Sequence, residues 1–113
     1  MSRDEVLEEF EIDFADPESK YSGNSLYERV LKRAKQLVPR DREGLIEACR
    51  YWLSMRKLPH TWIGTILAKD LVIRELKPDL ENLREDIESG KVFKLHDIRW
   101  VDKAIAAIST RGR

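Results

Sequence analysis

Apolar residues recur every three or four positions along most of this 113-residue chain, a spacing that places them on one face of an α-helix. The pattern is clearest between Ser25 and Pro39, where Ser25 and Glu28 form a capping-box pair that can begin the helix. Three further punctuation residues divide the rest of the pattern: Pro59, Pro78 and Gly90. No segment alternates strongly enough to found a sheet. The sequence therefore predicts an all-α fold, a compact bundle or orthogonal array of about five helices.

The later helices are expected at definite places. Asp41 can cap a second helix that ends near Arg56, and Asp97 can cap the fifth. Pro59 suits the first turn of a third helix, which the apolar pattern extends to Leu76. This third helix is apolar nearly all round. It is therefore either the central helix of a bundle or one that buries a second face against a partner chain.

The N-terminal segment differs from the rest in charge. Its first twenty residues carry eight acids and two bases, a net charge of −6 that the remaining 93 residues balance. Phe10, Ile12 and Phe14 alternate with acids, which suits an extended conformation, although Val6, Leu7 and Phe10 could instead complete one or two helical turns. We expect an acidic, partly extended N-terminal arm over residues 1–24 and a helical domain over residues 25–113.

Positive charge is concentrated next to this arm. Residues 28–57 hold nine bases and four acids, and Tyr51, Trp52 and Trp62 lie near the turn between the second and third helices. Basic side chains that meet phosphate, together with aromatic rings that stack on bases, are typical of single-stranded nucleic-acid binding. The alternative is that the tryptophans pack in the core and the bases form a solvated face. The predicted nucleic-acid contacts are Arg29, Lys32, Arg33, Arg40, Arg42, Arg50, Lys57 and His60.

A second hypothesis is a protein interaction module without a nucleic-acid role. In it, the apolar third helix forms a homo-oligomer and the arm inserts aromatic anchors into a groove of the same or a neighbouring chain. Asp70 and Arg74 are one turn apart on the expected third helix, so they form either an intrahelical ion pair or a specificity pair at the interface. The predicted partner contacts are Phe10, Phe14, Ile63, Leu67, Asp70 and Arg74.

The sequence gives no sign of catalysis. Its two histidines occupy separate turns and its single cysteine has no second cysteine to join it, so neither a metal site nor a cofactor is expected. No apolar run is long enough to span a membrane. The expectation is a small, non-enzymatic accessory or adaptor protein of the cytoplasm. One Gln, two Asn and 37% charged residues favour a thermophilic source.

Overall fold

A computed structural model of the chain describes residues 3–15 and 23–111, and the regular elements in these ranges are all helical. The α-helices are α1 (Arg3–Ala15), α2 (Gly23–Met55), α3 (His60–Asp70), α4 (Lys77–Glu88) and α5 (Ile98–Arg111), with short 3₁₀ helices at Arg74–Leu76 and Leu95–Asp97. The predicted all-α fold of about five helices is confirmed.

The chain divides into two compact units, Met1–Ala48 and Cys49–Arg113. Helix α2 contributes residues to both. The domain boundary that the sequence predicts between residues 24 and 25 stays a prediction, and residues 16–22 of the predicted arm lie outside the described part.

In the first unit, residues 3–15 form a helix, so the extended conformation predicted for Phe10 to Phe14 is wrong. Val6, Phe10 and Asp13 are spaced at i, i+4 and i+7 and are all buried, which places them on one face of α1. Ile12, which the alternating pattern pairs with the two phenylalanines, is instead 64% exposed. An acidic arm separate from the helical domain is not confirmed.

Helix α2 is interrupted at Asp41, whose φ of −158° and ψ of 75° are not helical. The interruption comes two residues after Pro39, the residue at which the sequence predicts the first helix to end. The carboxylate of Asp41 accepts a hydrogen bond of 3.1 Å from the backbone N–H of Gly44, the bond that an N-cap makes to the third residue of a helix. The predicted cap at Asp41 is therefore confirmed.

In the second unit, α5 packs against both α3 and α4. Its buried residues are Val101, Ala104 and Ile108, while α4 buries the predicted stripe of Leu80, Leu83 and Ile87. Helix α3 buries Ile63 and Leu67. Within this unit, α3 and α4 thus both contact α5.

Helix α3 ends six residues earlier than the sequence predicts, at Asp70 rather than Leu76. Val72 adopts a left-handed φ of 51°, and the N–H of Ile73 donates to the carbonyl of Ala68. These features form a Schellman motif, which usually has glycine at the left-handed position. Helix α4 ends in the same way at Gly90, with a φ of 80°. The stop at Gly90 is visible in the sequence, whereas the stop at Val72 is not.

Candidate functional site

The structure distributes the eight predicted nucleic-acid contacts over both units. Arg29, Lys32, Arg33, Arg40 and Arg42 belong to the first unit, and Arg50, Lys57 and His60 belong to the second. Lys32 and Lys57 are exposed, whereas His60 is half-buried. Trp52, one of the aromatic residues considered for base stacking, is only 2% exposed, which agrees with core packing.

Arg33 is held by a carboxylate of α1. Its Nε donates a 2.7 Å hydrogen bond to Asp13, and its terminal nitrogen donates a second bond of 3.4 Å to the same carboxylate. The hydrogen bond to Asp13, with the negative charges of Asp13 and Glu9, raises the pKa of Arg33 against the opposing effect of partial burial. Arg40 lies 3.8 Å from Glu9, another acidic residue of α1. Acidic residues of α1 thus neutralise part of the predicted basic face.

Arg50 is also engaged within its own unit. Its Nε donates to Asp79 of α4 at 3.1 Å, and its terminal nitrogen donates to the carbonyl of Glu75 at 3.3 Å. Arg56 forms a comparable pair with Asp86 of the same helix, also at 3.1 Å. The partners of these arginines are about thirty residues away in sequence, so no local pattern in the sequence indicates the pairing.

The six predicted partner contacts differ widely in accessibility. Phe10, Ile63 and Leu67 are buried within the chain, and Phe14 is half-buried. The three buried side chains present no surface to a second chain. A partner role for them stays a prediction that their placement does not support.

Asp70 and Arg74 do not share a helix, so the predicted one-turn spacing between them is wrong. Asp70 is the last residue of α3, and Arg74 begins the 3₁₀ helix after the left-handed turn at Val72. Both side chains are exposed. The pattern misleads here because Ile73 and Leu76 are buried, as a continuing helix would require, although the backbone has already turned.

Sequence reasoning missed an aromatic and basic surface on α3 and α5. The indole of Trp100 is 46% exposed and meets the ring of Trp62 edge to face, with ring centroids 6.2 Å apart and planes at 83°. The ammonium of Lys103 lies 5.4 Å from the centroid of Trp100, within the range of a cation–π interaction. The signal in the sequence is that Trp100 plots outside the apolar arc of its helix.

A groove of about 380 Å³ continues this surface, and its walls are Lys69, Lys103, Ala106, Ala107 and Thr110. Trp62 precedes Lys69 by seven residues, as Trp100 precedes Ala107, so α3 and α5 run in the same direction along it. Two of these lining residues are alanines, whose side chains are small, and two are lysines, which carry positive charge. We call this surface the α3–α5 face: Trp62, Lys69, Trp100, Lys103, Ala107 and Thr110.

The one cysteine of the chain, Cys49, is buried. Burial raises the pKa of the Cys49 thiol to about 12, so the thiolate that a cysteine nucleophile needs is not formed near neutral pH. Over residues 3–15 and 23–111, no three His, Cys, Asp or Glu side chains are grouped in a way that could hold a metal ion. In the same ranges, no helix combines the length and the apolar character needed to cross a membrane.

Comparison with known proteins gives no relative: no protein-family model matches the chain, and no curated protein or solved structure matches it either.

Proposed function

We propose that this protein is a small, non-enzymatic interaction module of the cytoplasm and that its α3–α5 face binds a protein partner. The observation that carries the proposal is the exposed indole of Trp100, which contacts both Trp62 and Lys103. Large aromatic side chains that are held rigid at a surface supply much of the binding energy of protein interfaces.

The groove beside Trp100 strengthens this proposal. Its volume of about 380 Å³ accommodates a few side chains of a partner, and it lies between two lysines, which favour a partner with carboxylates. A lining of both alanines and lysines agrees with the usual composition of an interface, in which apolar and polar groups are combined.

Selection from a displayed peptide library tests the binding role. We expect peptides enriched on the wild-type protein to lose at least about tenfold in affinity for Trp100→Ala and for Lys103→Glu, since these changes remove the aromatic anchor and reverse a rim charge. Leu58→Ala is the matched control, because Leu58 is a large apolar side chain of the same unit that is 66% exposed. Circular dichroism confirms that each variant folds. Equal binding by all four proteins, or no enrichment, would contradict the proposal.

Nucleic-acid binding is the second candidate, and the exposure of Lys32 and Lys57 is the observation that favours it. The engagement of Arg33, Arg40 and Arg50 by carboxylates counts against it. Binding of a fluorescent single-stranded oligonucleotide should weaken steeply as salt rises and should weaken further in Lys32→Glu. No binding at low salt would exclude this candidate.

A further inference from the structure

The two units carry opposite net charges, although the whole chain is neutral. Residues 1–48 include eight bases and twelve acids, and residues 49–113 include thirteen bases and nine acids, so their net charges are −4 and +4. Opposite charges on two parts of one chain allow copies of that chain to attract each other, each through a different part.

The outward face of α1 concentrates the negative charge of the first unit. Glu8 and Glu11 are exposed there, and Ile12, which is 64% exposed, lies one turn after Glu8. Exposure of an isoleucine side chain to water is unfavourable, and no side chain of α1 buries this one. The outward face of α1 thus has an apolar side chain flanked by carboxylates.

The α3–α5 face of the second unit has the complementary pattern. Its groove is lined by two alanines as well as by Lys69 and Lys103, and Trp100 offers a broad apolar surface beside Lys103. Lys69 follows Trp62 by seven positions, a rise of about 10 Å at 1.5 Å per residue. That length matches two turns of a docked helix, enough to receive Glu8, Glu11 and Ile12 together.

We infer that the α3–α5 face of one chain binds the outward face of α1 from a second copy of the same chain. In this contact, Ile12 enters the groove beside Trp100, and Glu8 and Glu11 face Lys69 and Lys103. The inference rests on the binding role proposed for the α3–α5 face and names its occupant. Because the contact joins two different surfaces, the charge of the α1 carboxylates and that of the groove lysines can be reversed in separate variants.

Charge reversal on each side, followed by mixing, tests this pairing. One variant carries Glu8→Lys and Glu11→Lys, and the other carries Lys69→Glu and Lys103→Glu. Either variant alone places like charges across the contact, so we expect its self-association to be at least about tenfold weaker than that of the wild type. A one-to-one mixture brings lysines on α1 against glutamates in the groove, and wild-type α1 against a wild-type groove. Sedimentation at low salt should therefore show association restored in the mixture.

Two further proteins complete the experiment. A chain with all four substitutions should associate with itself again, because both sides are reversed together. A control with Glu81→Lys and Glu85→Lys changes net charge by the same amount as the α1 variant, on exposed positions of α4, and should associate as the wild type does. Circular dichroism establishes that every variant is helical.

A wild-type protein that stays monomeric at low salt, or a mixture that stays monomeric, overturns the inference. If the peptides selected on the wild type still depend on Trp100 in that case, the α3–α5 face remains a binding surface with another occupant. If they do not, the proposed function fails as well.

Discussion

The hydroxyl of Thr61 forms hydrogen bonds with backbone groups near the C-terminal end of α2, in the interior of the second unit. It is 1% exposed, donates a 2.8 Å hydrogen bond to the carbonyl of Trp52, and accepts a 3.0 Å bond from the backbone N–H of Lys57. Backbone groups at a helix end lack intrahelical partners. One buried side chain therefore pairs with a carbonyl near the end of α2 and with an N–H of the connection that follows the helix.

Thr61→Val preserves the shape of this side chain and removes both hydrogen bonds. We expect the free energy of unfolding to fall by about 1–3 kcal/mol, the cost of leaving buried polar groups unpaired, as measured by urea denaturation. Thr65→Val is the matched control, since Thr65 is also buried and its hydroxyl donates only to the carbonyl of Thr61 one turn earlier. Equal losses in the two variants would contradict the capping role.

Cys49 provides a second prediction for a single residue. Because burial raises the pKa of its thiol to about 12, its thiolate fraction at pH 8 is about one in ten thousand. The native protein should therefore react with a thiol-specific chromogenic disulfide far more slowly than the chain does in 6 M guanidinium chloride. Rapid reaction of the native protein would show that Cys49 is accessible.

At the scale of elements, Gly44 permits α1 to approach α2 closely. A Cβ atom at position 44 would lie 2.9 Å from Cγ2 of Val6 and would also meet the carboxylate of Asp41. Gly44→Ala should therefore destabilise the protein by about 1–3 kcal/mol through overpacking, although alanine has the higher helix propensity. Glu43→Ala, at the exposed neighbouring position, should change stability by about 0.5 kcal/mol or less. Thermal and urea denaturation measure both, and a stabilised Gly44→Ala would contradict this packing.

At the scale of the whole molecule, arginine–carboxylate pairs join residues distant in sequence within each unit. Asp13 pairs with Arg33 in the first unit, and three further pairs lie in the second: Arg50–Asp79, Arg56–Asp86 and Arg84–Asp102. The hydrogen bond and charge of Asp102 raise the pKa of Arg84. Ion pairs of this kind contribute more at high temperature, because the cost of desolvating charges falls.

The predicted thermophilic source implies that the chain unfolds above about 70 °C, beyond the usual range of mesophilic domains. Added salt screens partly exposed charges, so 1 M sodium chloride should lower the Tm measured by circular dichroism. A Tm of about 50 °C, or one that rises with salt, would contradict the thermophilic interpretation.

Helical periodicity and punctuation were enough to predict the fold class, the cap at Asp41 and the end of α4 at Gly90. These features depend on interactions among residues close in sequence, which a local pattern records. Local sequence patterns did not predict the end of α3 near Val72, because a β-branched residue is rarely found in the left-handed conformation. They failed again at Ile12, where alternation with acids indicated a strand although Val6 and Phe10 face a helical core.

The sequence by itself determined that this chain is helical, where most of its helices start and stop, and that an acidic N-terminal segment precedes a basic one. Only the tertiary structure decided which charges remain available, because Asp13 and Asp79 reach Arg33 and Arg50 across twenty or more residues. It also brought Trp62 and Trp100 together on the α3–α5 face. Pairings at such separations depend on how helices pack, and that packing is set by the fit of whole faces rather than by any short run of residues.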